Sequence, residues 1–159
     1  MATNNKFIVE RTNVLAADVT LGVAYAAIDS NDFGWYGVAG QTYEFAARVV
    51  YSAVAATDGA AFSITAPAAP TQIAFISEYN TDATTVVRTA GVAIDTPDHG
   101  SASVAVATGL NQAFVYGTIT PSADGFIAVS GIAENASTII AKATASVLSW
   151  KRVDWPAAP

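Results

Sequence analysis

The sequence predicts an all-β fold, an antiparallel sandwich or barrel, on three observations. Proline, glycine and other turn formers punctuate the 159 residues at intervals of roughly ten. The segments between them alternate apolar and polar side chains, the period of a strand with one buried face. A sustained helical period is lacking, even though alanine, a helix former, is abundant.

The most legible segment is "TYEFAARVVYS" at 42–52. Tyr43, Phe45, Ala47, Val49 and Tyr51 form an apolar face that predicts burial between sheets. The opposite face carries Thr42, Glu44, Arg48 and Ser52 but also Ala46 and Val50, which asks for a cover. The other elements follow in chain order. "KFIVER" at 6–11 reads as a short strand or an arm, and "TLGVAYAAI" at 20–28 as a strand. "DSNDFGWYGVAGQ" at 29–41 reads as a loop rich in turn formers. A turn at 57–59 leads to "AAFSIT" at 60–65, expected as the returning partner of 42–52.

Both prolines of "APAAP" at 66–70 lack a ladder donor, so this stretch is a connection. "TQIAFISEY" at 71–79 is the next strand, with Phe75 and Tyr79 on one face. "TTVVRTAGVAI" at 84–94 follows, bulged near Gly91. "SASVAVATG" at 101–109 and "NQAFVYGTI" at 111–119 read as a pair. "FIAVSGIAE" at 126–134, "STIIAKA" at 137–143 and "SVLSWKRV" at 146–153 complete the set. β-branched Thr138, Ile139, Ile140 and Thr144 pull the alanine-rich region 133–146 toward strand. Residues 1–20 are expected as an N-terminal arm or first strand, 21–155 as the domain and 156–159 as a tail.

Composition narrows function. Hydrophobic residues make up 52% and charged residues 13%, about half the usual charged share. Mean hydropathy is +0.38. So few charges clothe an isolated globule poorly and favour an oligomer or a scaffold-bound subunit. No run of apolar residues reads as a membrane-spanning helix: 59–77 contains Pro67 and Pro70, and 100–123 is dense in polar residues. Met1–Val14 carries Lys6, Glu10 and Arg11 and shows no apolar export core. The net charge of −6, with the basic residues scattered, argues against nucleic acid as a partner. Cysteine is absent, which removes disulfides and thiolate metal sites.

No catalytic constellation is visible, and no catalytic, cofactor-binding or metal-binding residue is assigned. His99 is the single histidine, beside Asp95 and Asp98 in "DTPDHG"; turn chemistry accounts for each of these residues, with a cation site as the alternative. Asp29, Asn31 and Asp32 pose the same choice between a capped turn and a cation. Asn135-Ala136-Ser137 is a glycosylation sequon that carries no weight without export. No small-molecule substrate or cofactor is expected.

The stretch "GQTYEFAARVVYSAVAATDGAAFSITAPAAPTQIAF" at 40–75 adds a resemblance. Its aromatic strand Tyr43-x-Phe45 with Tyr51, the turn at Gly59 and the P-x-x-P of Pro67 and Pro70 are similar to the small jelly-roll domains of tailed-bacteriophage structural proteins. These share the trimeric arrangement of C1q and tumour-necrosis-factor-like domains. "VYGTITPSADGFIAVSGIAE" at 115–134 and "SVLSWKRV" extend the likeness, which covers roughly 38–153. Gly40-Gln41-Thr42-Tyr43-Glu44-Phe45 holds one residue more than the G-x-Y-x-F of C1q-like domains, which counts against a close relationship to the animal family and leaves the phage-type reading in place.

The resemblance implies a jelly roll, a homotrimer, and a capsid decoration or cement protein on the virion exterior, bound to the major capsid protein. Small apolar residues such as Ala46 and Val50 would then face a neighbouring subunit. Capsid contact is expected from Lys6, Phe7, Ile8, Val9 and Arg11, an apolar stretch with flanking charges suited to pairing with a sheet edge. The alternative function is a receptor- or carbohydrate-binding tail tip, using Trp35 and Tyr36 as exposed loop aromatics. The short stretch ahead of the domain favours an independent protein over a fibre tip.

Overall fold

The computed structural model describes residues 10–82, 84–96 and 109–153. They contain twelve strands and no helix. The larger antiparallel sheet runs β1 (Arg11–Val14), β12 (Val147–Val153), β5 (Thr42–Ala53), β9 (Leu110–Thr120), β7 (Gln72–Asn80), β8 (Val86–Gly91). β2 (Val19–Thr20) and β11 (Ile139–Ala141) continue β1 and β12 along the same edge of β5. The smaller sheet centres on β10 (Gly125–Ala133), with β3 (Ala26–Ala27) and β4 (Gly34–Gly37) on one side and β6 (Ala60–Thr65) on the other.

The pairing is nested. First pairs with last (β1 with β12), the next pair with the penultimate long strand (β3 and β4 with β10), and β5 with β9. A long hairpin rolled into two sheets pairs in this way, which is the jelly-roll plan of the all-β sandwich. The β7–β8 hairpin widens the large sheet beyond β9.

The expected face of β5 is the core. Tyr43, Phe45, Ala47, Val49 and Tyr51 are all buried, as are Phe75 and Tyr79 on β7. They pack against Phe62, Ile64, Ile127 and Val129 of the smaller sheet, and the Tyr51 and Phe62 rings lie 5.0 Å apart. Buried Ser77 donates to the carbonyl of Phe62 at 2.8 Å, so a polar group in the core joins the two sheets.

Four expectations change. "AAFSIT" forms β6 at the expected place, but it pairs with β10 and not with β5. The intervening turn, in which Asp58 accepts the Ala55 amide at 2.8 Å, carries the chain across to the other sheet. The strand expected at 20–28 is broken for a similar reason: β2 lies in the large sheet, β3 in the small one, and 21–25 crosses between them. The loop expected at 29–41 contains β4, whose glycines serve close packing rather than turning. A Cβ on Gly34 would lie 2.3 Å from the Ile127 carbonyl oxygen, and one on Gly37 2.4 Å from Ile127 Cδ1. Finally, β8 ends at Gly91 without a bulge, and Asp95 just beyond takes a left-handed φ of 54°. Of the strand expected at 101–109, residues 101–108 lie outside the described residues.

Val50 and Ala46, the apolar pair on the polar face of β5, part company. Val50 is buried by its own chain. Between β11 and β12 the chain bulges at 142–146, where Lys142 N donates to Val50 O at 2.8 Å and the Ser146 hydroxyl accepts Val50 N at 3.0 Å. A neighbouring subunit is therefore not needed to cover Val50. Ala46 stays exposed.

Candidate functional site

The residues that suggested chemistry in the sequence are engaged in folding. The Asp29 carboxylate accepts the amides of Asn31 and Asp32 at 2.7 and 3.0 Å, a capped turn. Asp95 accepts the Ser130 and Thr65 hydroxyls at 2.8 and 3.1 Å, while its amide donates to Ile64 O at 3.1 Å. It clamps the segment after β8 to β6 and β10. Asp98 and His99 lie outside the described residues. Among the described residues no group of three or more His, Asp or Glu could hold a metal ion, and no helix is long and apolar enough to cross a membrane.

Shifted ionisations tell the same story. Backbone and hydroxyl donors from Thr84 and Thr85 lower the Asp82 carboxyl to about 2. The Lys142 ammonium, then the Ala143 amide, holds Asp18 below the usual carboxylate range. Burial pushes the Tyr51 hydroxyl above its ordinary value. Each cause is a turn, an ion pair or the core, and none assembles an acid–base pair in a cleft.

The proposed binding residues separate. Lys6, Phe7, Ile8 and Val9 lie outside the described residues. Arg11 opens β1, exposed, with its guanidinium 5.8 Å from the centre of the Trp150 ring. Trp35 is only 2% exposed and belongs to β4, stacked on Trp150 at 5.6 Å and flanked by Tyr43 and Phe45. It fills the core and cannot stack on a ligand. The reason is the strand alternation of β4, which sends Trp35 inward and Tyr36 outward. Tyr36 is 64% exposed and stands alone of the pair.

The surface that stands out is the outer face of the large sheet. One register row crosses it as Thr12, Ser149, Ala46, Tyr116, Ile76 and Ala90. The adjoining row contains Val14, Val147, Arg48, Phe114, Glu78 and Arg88. Phe114 and Tyr116 are 39% and 37% exposed. Two ion pairs lie within this face, Lys151 with Glu44 at 2.9 Å and Arg88 with Glu78 at 2.6 Å, while Arg48 donates to the Ala145 carbonyl oxygen at 3.3 Å. The result is a mixed sheet face in which small side chains lie beside two partly exposed aromatic rings. Sequence reading passed over Phe114 and Tyr116, yet a signal was present: β9 places its small residues Ala113 and Val115 inward and its large rings outward. That inversion leaves two aromatic rings partly exposed on the outer face of the sheet.

No family model matches this chain, and no curated protein matches it. Among solved structures, it is similar to the infectious bursal disease virus VP2 subviral particle, at 11% identity and a TM-score of 0.28. That similarity covers 97% of this chain and 41% of the other. The infectious bursal disease virus Gt strain structure gives 12% identity and a TM-score of 0.27, over 95% of this chain and 43% of that one. This chain thus spans about two fifths of the length of these proteins. TM-scores this low carry no weight for either fold or function.

Proposed function

We propose that the chain is a structural virion protein, a homotrimer that decorates and cements the exterior of a tailed-phage head. No bond is made or broken in this role. Apolar burial between subunits holds the trimer, and the major capsid protein is its second partner. The observation that carries the reading is the outer face of the large sheet, where Phe114, Tyr116 and Ala46 stand exposed in a surface with two internal ion pairs. An enzyme has no need of such a face, whereas an assembling subunit does. The resemblance of 38–153 to phage jelly-roll proteins supplies the class, and the net charge of −6 suits a position away from packaged DNA.

The segment with Lys6, Phe7, Ile8 and Val9 lies directly ahead of β1, the edge strand of the large sheet. In this reading it reaches the shell and pairs there as an added strand.

Electron microscopy of purified virions tests the proposal, with light scattering of the isolated protein beside it. The expectation is density on the capsid surface and a mass close to three times 16.3 kDa. Density at the tail tip would replace decoration with the receptor- or carbohydrate-binding role, and a stable monomer at micromolar concentration would remove the trimer.

A further inference from the structure

We propose that residues 92–96 form a releasable strap along the edge of β6 turned away from β10. Asp95 is its bolt, and the closed strap keeps that edge from taking up a strand of another chain.

β6 pairs with β10 on one side, and among the described residues no strand lies on its other side. An edge of this kind offers its carbonyls to any extended segment that reaches it. Here two of them are occupied. The Phe62 carbonyl accepts the Ser77 hydroxyl at 2.8 Å, and the Ile64 carbonyl, two residues on, accepts the Asp95 amide at 3.1 Å. The two caps are held differently. Ser77 is buried within β7, which has β8 on one side and β9 on the other. Asp95 belongs to the irregular stretch that leaves β8.

The hold of that stretch is mainly polar. The Asp95 carboxylate accepts the Ser130 hydroxyl of β10 at 2.8 Å and the Thr65 hydroxyl of β6 at 3.1 Å. The Thr96 amide donates to the Ser63 hydroxyl at 3.2 Å. Apolar anchoring is slight: Ile94 is half-buried against the core, whereas Val92 is 79% exposed and Ala93 is exposed as well. Asp95 also takes a φ of 54°, a left-handed backbone that aspartate adopts more readily than most residues but still at a cost. A segment fastened by a few hydrogen bonds in a strained conformation opens at less cost than two packed sheets separate. Opening frees the Ile64 carbonyl and uncovers Ser63 and Ser130, both fully buried when the strap is closed. Their small side chains let a second backbone approach closely. The fold therefore guards one sheet edge with a single side chain.

Hydrogen exchange of the full chain tests this with Asp95→Ala. Exchange in 92–96 and in β6 is expected to quicken by about tenfold or more while β5 and β9 keep their wild-type rates. Light scattering at rising concentration should then give a mass above that of wild type. Asp95→Asn suits the same backbone and can bond both hydroxyls, so its exchange should stay within about threefold of wild type. Should Asp95→Ala fail to fold, the Thr65→Val/Ser130→Ala variant removes the same two bonds and leaves residue 95 untouched, with the same expected result. Exchange in 92–96 within about twofold of wild type would show that Asp95 is not the bolt. An equal rise in β5 and β9 would show that the strap does not open apart from the core. A strap that opens with no gain in mass would show that it guards no edge. Any of these three results overturns the proposal.

Discussion

Gly117→Ala is the sharpest test of the large sheet, because one methyl group has nowhere to go. Phe45, Gly117, Phe75 and Gly91 lie in one register row across four strands, all facing inward. The two glycines make room for the two rings. A Cβ on Gly117 would sit 2.2 Å from Ala74 O, 2.5 Å from Phe75 Cα and 2.6 Å from Phe75 Cβ. These atoms are backbone or fixed to it, so relief requires β7 and β9 to separate locally. On Gly91 the clash is as close, 2.1 Å, but with Phe75 Cζ at the far end of a ring that can tilt. Neither glycine has a left-handed φ, so alanine suits both backbones and the cost is steric. Overpacking costs about 1–3 kcal/mol, and a clash with backbone belongs at the top of that range. Restricting the unfolded chain returns about 0.4–1 kcal/mol. The net expectation is a loss of about 2–3 kcal/mol for Gly117→Ala and about 1 kcal/mol or less for Gly91→Ala. For a chain of this size, the larger value lowers the melting midpoint by roughly 5–10 °C. Urea unfolding and thermal melts at one fixed protein concentration measure both, which keeps assembly from shifting the midpoint. If Gly117→Ala melts at or above wild type, or loses no more than Gly91→Ala, the close approach of β7 to β9 is refuted.

Phe45→Ala removes a ring that is 2% exposed and 5.9 Å from Trp35. It should cost about 3–5 kcal/mol in urea unfolding, and a loss under about 1 kcal/mol would show that this face is not the core. Asp82 is lowered from 3.8 to about 2, so its carboxylate is favoured in the folded state. Its contribution is present above about pH 4 and disappears as pH falls through about 2. The melting difference between wild type and Asp82→Asn should therefore shrink between pH 5 and pH 2, and a constant difference would mean the Thr84 and Thr85 donors do not act on the charge. Deleting residues 1–9 leaves β1 intact, so β-type circular dichroism and the trimer should persist while capsid binding is lost. Undiminished capsid occupancy would place the contact elsewhere.

What the sequence could show was local. Alternation identified the buried face of β5 and the extents of β6, β7, β10 and β12 within a residue or so, because each strand writes its own period. Partners were another matter. β6 follows β5 closely and reads as its hairpin mate, yet in a rolled hairpin the mate lies far along the chain, at β10. Composition also hid β4, since Gly34 and Gly37 look like turn residues and only the approach of Ile127 reveals them as packing.

Ala46 and Val50 show where the line falls for function. Both are small apolar residues on one strand face, four positions apart, and the sequence treats them alike. The difference arises from Ser146 and Lys142, nearly a hundred residues on, whose bulge closes over Val50 and stops short of Ala46. The chain thus covers one end of the β5 outer face itself and leaves the other open beside Tyr116. An apolar residue that its own fold could have covered, and did not, is a stronger sign of a partner than low overall charge. That contrast, rather than composition, is what supports Ala46 as a contact in the proposed assembly.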